Sequence, residues 1–240
     1  MKALITKKGK IFFHKKGDMH TQFGFIKEDI LTNSKPGDIL TTNTGKTMSV
    51  LDIGFMDKYK KIKRGAQIIP LKDIGHIIAE IGLNKKSVVL ESGSGSGATT
   101  TFLANIVKKV ITYEIREDFY KIVKHNIDFL EMKNIKQKLG DIYEGIKEKN
   151  VDVIILDLPE PWKVIPHAKK ALKNGGYIVS YSPTIPQVSD FVEEINKADE
   201  FIYLKTTETI QRDWEVEGRK IRPRSQAIGH SGFITFARKI

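Results

Sequence analysis

The chain has 240 residues, 40% of them hydrophobic, and carries 40 Lys and Arg against 29 Asp and Glu, a formal net charge of +11. The absence of cysteine excludes a disulfide framework, a thiol nucleophile and a zinc–thiolate cluster. With no signal-peptide h-region and no apolar run approaching the roughly eighteen residues of a membrane span, a cytoplasmic protein without membrane attachment is expected.

The basic surplus favours a polyanionic partner, most simply nucleic acid, over a merely charge-rich surface of thermophile type. Residues 1–64 show short apolar segments at 3–5, 10–14, 23–26, 39–42 and 47–51, separated by turns such as Lys16-Gly17-Asp18 and Asn43-Thr44-Gly45-Lys46. That texture predicts a small β-barrel or meander, with Phe12, Phe13, Phe23 and Phe25 in its core. Lysines crowd its edges. From residue 65 onward strands alternate with helices. A helix is expected over 69–81, a strand at 87–92, a helix over 98–110, a strand over 109–113 and a helix over 116–132. A further helical stretch begins at 142, then come a strand at 151–156, a helix at 165–172, a strand at 177–181 and a helix at 185–198. Antiparallel strands are expected at 201–207, around 214–224 and at 232–238, near the end of the chain. The pattern implies an α/β fold, a doubly wound and mostly parallel sheet with helices on both faces, in a domain spanning 65–240.

The centre of that domain is Glu91-Ser92-Gly93-Ser94-Gly95-Ser96-Gly97, a glycine-serine turn between a β-branched strand and a helix. Glycines there allow a sharp turn and close approach of a ligand to the backbone. Glu114 ends the next strand, twenty-one residues after Gly93, where a carboxylate can take both hydroxyls of a ribose. The G-x-G-x-G spacing and the preceding Glu91 favour S-adenosylmethionine over a dinucleotide, whose fingerprint sets its third glycine one place later. Asp141 ends the expected third strand, either to receive an adenine amine or to cap the following helix. Asp157 ends the fourth, and with Pro159, Pro161 and Trp162 forms a set suited to a planar base. Six histidines are scattered without metal-site spacing, so no metal is expected. They suit surface or packing positions, and His230, beside Gly229 and Gly232, is the one that merits substitution. Trp214 is expected to anchor the tail.

With these residues in place, the chain resembles the tRNA adenine-N1 methyltransferases that modify the T-loop at position 58, whose archaeal members also act at 57. The resemblance runs through residues 16–46, Arg64-Gly65-Ala66-Gln67-Ile68-Ile69, Lys72-Asp73, the glycine loop, Tyr113 to Phe119, Leu156 to Trp162 and Tyr181-Ser182-Pro183-Thr184. Its most specific piece is the tail, Arg212-Asp213-Trp214-Glu215-Val216-Glu217-Gly218 through Gly229-His230-Ser231-Gly232-Phe233. Two departures are visible: Pro70-Leu71 stands where the family often has Tyr-Pro, and Glu160 where Asp is frequent. The resemblance implies a class I methyltransferase of Rossmann-like fold with a small N-terminal domain that binds or positions tRNA. It implies Gly93, Ser94, Gly95 and Ser96 on the methionine portion of S-adenosylmethionine, together with Gly97, Glu91 and Phe119 at the cofactor site. Gln67 is then near the methionine end, Glu114 on the ribose and Asp141 on the adenine. Asp157 matches the family's catalytic aspartate and Tyr181 a tyrosine beside the target base. Homotetrameric assembly is implied too. Two other readings are weighed against it: a nicotinamide-dependent oxidoreductase, and a non-catalytic RNA-binding subunit of a methyltransferase complex.

Overall fold

Strand-forming runs at both ends of the chain pair among themselves. The computed structural model, which describes residues 2–65, 67–226 and 228–240, accordingly divides into two compact units, Met1–Lys61 and Ile62–Ile240. Ala66, within the segment that carries the resemblance, lies outside the described residues.

The first unit runs β1 (Lys2–Ile5), β2 (Ile11–His14), β3 (Met19–Thr21), β4 (Gly24–Ile26), α1 (Glu28–Asn33), β5 (Ile39–Thr41), β6 (Thr47–Leu51) and α2 (Phe55–Tyr59). Its main sheet is antiparallel in the order β2-β1-β6-β5, with β3 and β4 forming a separate hairpin. The expected barrel is thus an open sheet. Four short strands are too few to close around a filled interior, and the edge strands β2 and β5 do not pair. The core is Leu4, Met19, Ile26, Leu31, Met48 and Val50, flanked by Phe12 and Phe23. Phe13 and Phe25 do not join it: Lys61 lies over the ring of Phe13, and Phe25 packs beside His20. The two helices were not visible in the sequence because each is barely more than one turn. Lys2 holds α1 in place by donating to carbonyls of its last turn, Thr32 at 2.9 Å among them, where the helix dipole favours a cation.

The second unit contains α3 (Leu71–Glu80), β7 (Val88–Ser92), α4 (Ala98–Ala104), β8 (Lys109–Glu114), α5 (Glu117–Phe129), β9 (Ile135–Leu139), β10 (Val151–Leu156), α6 (Ile165–Ala171), β11 (Leu172–Ser182), α7 (Ile185–Lys197), β12 (Phe201–Thr207), β13 (Trp214–Glu217), β14 (Lys220–Pro223) and β15 (Phe233–Lys239). Its seven-stranded sheet has the order β12-β15-β11-β10-β7-β8-β9, parallel from β11 to β9 and antiparallel at β15 and β12. Alternate residues of each strand feed two cores. Leu90, Ile111, Ile154, Leu156 and Ile178 face Ile165, Phe191 and Ile195 of α6 and α7. Val89, Val110, Val153, Ile155 and Val179 face Ile74, Ile77 and Leu103 of α3 and α4. This period-2 division between two covered faces is what a parallel sheet requires.

Two elements differ from expectation. The helix expected over 98–110 ends at Ala104, and the one expected from residue 142 is a single 3-10 turn, Ile142–Glu144. The chain leaves β7 towards β8 and β9 on one side and returns through β10 on the other. The topological switch therefore lies between β7 and β10, at whose carboxyl ends ligands of open α/β sheets bind.

Candidate active site

The glycine loop leaves β7 at this switch point. Gly93 has φ +88°, Gly95 +50° and Gly97 +73°, all in the left-handed region that side-chain-bearing residues avoid. The amide of Asp157 donates to the carbonyl of Ser92 at 3.0 Å, which binds the loop's first turn to the end of β10. The loop is also bound to β8. Gly95 N and Ser94 Oγ donate to Oε2 of Glu114 at 2.9 and 3.1 Å, and Arg116 N donates to its Oε1 at 3.0 Å.

Two cavities open at these strand ends. One, of about 260 Å³, is lined by Ser92, Gly93, Glu114, Asp141, Tyr143 and Asp157 among others. The second, of about 280 Å³, is lined by Gln67, Ile68, Asp157, Tyr181, Pro183 and Ser231. Asp157 belongs to both. Burial pushes its carboxyl up to about 7, so it gains or loses its charge near neutral pH.

The first cavity fits a nucleoside with an attached cation. Gly93, with no side chain, lets the loop backbone close against the Asp157 carbonyl at the cavity wall, and carboxylates end three of the strands around it: Glu114 on β8, Asp141 just beyond β9 and Asp157 just beyond β10. Asp141 also caps the 3-10 turn by accepting from Tyr143 N at 2.8 Å, so both roles weighed for it are compatible.

Several expected site residues support the loop from within and are not among those lining either cavity. Glu91 is 1% exposed and accepts from Thr100 Oγ1 at 2.7 Å and from Thr112 Oγ1. Burial raises its carboxyl to about 7, with the charges of Asp157 and Glu114 adding to the effect and the two threonine bonds opposing it. Ser96 accepts from Gly65 N at 2.9 Å, and its carbonyl accepts from Asn126 Nδ2 at 2.8 Å. Gly97 packs on Val123, and Phe119 packs beneath the Arg116 guanidinium at 4.2 Å. Trp162 packs against the hydrophobic core and lines neither cavity, so the flat face expected of it for a base is not offered there, while Tyr143 lines the cavity with Glu114 and Asp141. Trp214 is no anchor: it stands 54% exposed on the β13–β14 hairpin.

Behind the second cavity lies a polar cluster with no role in the sequence reading. Asp73, on α3 and fully buried, accepts from Tyr181 Oη at 3.1 Å, Ser231 Oγ at 2.8 Å, Lys72 Nζ at 2.7 Å and Thr209 Oγ1. Burial would raise the Asp73 carboxyl, but the bonds from Lys72, Thr209 and Ser231 prevail and hold it below the ordinary carboxylate range. Asn126 is a second such residue. Its side chain donates to Lys63 O and accepts from Lys63 N, both at 2.8 Å, clipping the segment before Gln67 to α5.

Residues 60–224 match the family model described as the tRNA methyltransferase complex GCD14 subunit. The chain is 37% identical to the tRNA (adenine(57)-N(1)/adenine(58)-N(1))-methyltransferase TrmI of Methanocaldococcus jannaschii, covering 99% of this chain and 94% of that one. It is 32% identical to the tRNA (adenine(58)-N(1))-methyltransferase TrmI of Thermus thermophilus, over 98% and 91%. Among solved structures it is similar to the tRNA (m1A58) methyltransferase TrmI of Aquifex aeolicus, with TM-score 0.84 and 27% identity over 100% and 97% of the two chains. It is also similar to a SAM-dependent O-methyltransferase of Thermotoga maritima, with TM-score 0.88 and 30% identity over 100% and 92%. A sheet of class I methyltransferase type, a glycine loop at its switch point and end-to-end similarity of this kind lead to one conclusion: the chain belongs to the GCD14/TrmI family of tRNA methyltransferases.

Proposed function

We propose that this chain transfers a methyl group from S-adenosylmethionine to N1 of an adenosine in the T-loop of tRNA, at position 58 and also at 57, as in the M. jannaschii relative. The observation that carries this reading is Asp157, one carboxylate on the wall of two cavities. The cavity with Glu114 and Asp141 suits a nucleoside cofactor, and the cavity with Gln67 and Tyr181 suits a planar base.

The backbone of the loop from Gly93 to Ser96 would hold the methionine portion, with Gln67, on the wall of the second cavity, near its end, Glu114 on the ribose hydroxyls and Asp141 on the adenine amine. When bound, S-adenosylmethionine supplies a methyl group on a positively charged sulfonium. Adenine N1 carries a lone pair, so no base is needed to activate it, and the chain's task is alignment and charge stabilisation. Asp157, as a carboxylate beside the exocyclic amine, counters the positive charge that grows across N1 and N6 as the new bond forms. The Tyr181 hydroxyl is committed to Asp73, so what this residue offers the base is its ring, a role made larger by Pro70-Leu71 in place of an aromatic residue. Extruding the base from the folded tRNA costs a few kcal/mol, and lysines of the N-terminal unit with Arg219, Arg222 and Arg224 would offset it by gripping phosphates.

Acting on tRNA, the protein is expected in the cytoplasm. Homotetrameric assembly is supported by the β13–β14 hairpin, where Val216 pairs with Ile221 and Trp214 with Pro223 on one face. Val216 and Ile221 are 71% and 63% exposed, an apolar surface that a monomer seldom carries on an isolated hairpin.

The test is radiolabelled methyl transfer to unmodified tRNA by this chain alone, followed by mass spectrometry of the digested product. 1-Methyladenosine at positions 58 and 57 is the expected result. No incorporation, or label on another nucleoside, overturns the reading.

A further inference from the structure

His230 stands between two hydrogen-bond acceptors. Its Nδ1 lies 2.6 Å from Oε1 of Glu208, and its Nε2 lies 3.0 Å from the carbonyl oxygen of Pro183. An ionised carboxylate and a carbonyl can only accept. A neutral imidazole has one N–H and one lone pair, so it satisfies one partner and turns a lone pair on the other. Only the imidazolium satisfies both.

The position of this ring gives the bonds a consequence. Pro183 and Ser231, the residue after His230, line the second cavity. Gly232 packs so closely on Tyr181 that a Cβ there would lie 2.4 Å from its ring carbon Cζ. Glu208 precedes Thr209, a partner of Asp73. The ring therefore ties the end of β11 to the segments leaving β12 and entering β15. Among the described residues the charged groups facing it are Glu208, whose bond favours the proton, and Lys72, which opposes it. The Phe233 ring packs against it with centroids 4.6 Å apart. The Glu208 bond first, and the Pro183 bond second, raise the His230 pKa above its ordinary value.

We propose that His230, as an imidazolium, is a positioning residue for the target base, clasping Pro183 to the Glu208–Thr209 segment and so fixing the cavity wall beside Tyr181. The proposal rests on the methyl-transfer reading above. Loss of the proton breaks one of the two bonds and loosens a wall the base must fit. None of these residues lines the cavity with Glu114 and Asp141, so the methyl donor's site is unaffected.

Two measurements on the full chain test this. In nitrogen-resolved NMR of the histidine side chains, both ring nitrogens of His230 are expected to hold their protons to a higher pH than an ordinary histidine, and Glu208→Gln should lower the titration midpoint. A midpoint at or below that of an ordinary histidine, or one unmoved by Glu208→Gln, overturns the clasp. In methyl-transfer kinetics, His230→Gln is expected to raise KM for tRNA by more than about tenfold with kcat little changed, the size of one charged hydrogen bond. Its KM should stay flat with rising pH while that of the wild type climbs towards it. A loss confined to kcat, or weakened S-adenosylhomocysteine binding in calorimetry, overturns the positioning role. If the wild type transfers no methyl group to tRNA, the functional reading fails and that role falls with it, whereas the NMR titration still decides the clasp.

Discussion

A methyl group placed on Gly93 would sit 2.0 Å from the carbonyl oxygen of Asp157. The glycine loop and the residue with the strongest claim to the chemistry are thus in backbone contact, and neither can move without the other. Gly93→Ala adds both this collision and left-handed strain at φ +88°. We expect it to cost at least about 2 kcal/mol and to weaken S-adenosylhomocysteine binding by more than about tenfold. Gly75→Ala on α3 is the control, because its Cβ meets nothing within 4 Å and alanine favours a helix interior. Calorimetry showing equal binding by the two variants would contradict the contact.

The Asp157 carboxyl, pushed by burial up to about 7, should leave its mark on the pH profile. Its raised value means that the protonated form dominates below neutrality, so kcat should fall as pH drops through about 7. Asp157→Asn keeps the shape and loses the charge. It should bind S-adenosylhomocysteine, lose about a hundredfold or more in kcat and lose the acidic limb of the profile. An Asn variant with an unchanged acidic limb would assign that limb to another group.

The alternation of strands and helices, the glycine loop and the strand-end positions of Glu114 and Asp157 were legible in the sequence, because each follows from local pattern. A β-branched run predicts a strand, glycines at alternate positions predict a turn, and an acid after a strand falls at the open end of the sheet. Asp73 was not legible. Its partners Thr209 and Ser231 lie 136 and 158 positions away, and no periodicity connects them. The packing of Trp162 has the same origin: the sequence places an aromatic residue after β10, but whether its ring faces a cavity or the core depends on how the 3-10 turns after β9 and β10 pack. The short α1 and α2 escaped for the opposite reason: one turn carries too few residues to show a period.

Asp73 should be the most sensitive polar position outside the cofactor loop. Asp73→Ala leaves Lys72, only 14% exposed, without its carboxylate and frees the hydroxyls of Tyr181 and Ser231. A loss of about 2–4 kcal/mol in urea unfolding is expected, since one member of a buried pair has been removed. Tyr181→Phe removes a single bond and keeps the ring, so it should cost only about 1 kcal/mol and leave most of the methyl transfer. Equal losses in the two variants would mean that Asp73 does no more than accept from Tyr181.

Glu91 gives a stability signal of definite sign. Its carboxyl is raised to about 7 in the folded chain, from an ordinary value near 4.5, chiefly by burial. The folded state therefore holds this proton more tightly than the unfolded state. The stability it contributes is fully present below about pH 4.5 and is lost as pH rises through about 7, a change on the order of 3 kcal/mol. Glu91→Gln has nothing to ionise and can still bond to Thr100 and Thr112. Asp157 titrates in both proteins, so its effect cancels in the difference. Urea unfolding at about pH 5 and pH 8 should show the variant gaining on the wild type as pH rises. Curves that stay parallel would mean that Glu91 remains charged throughout, its burial cost met by the two threonine hydroxyls.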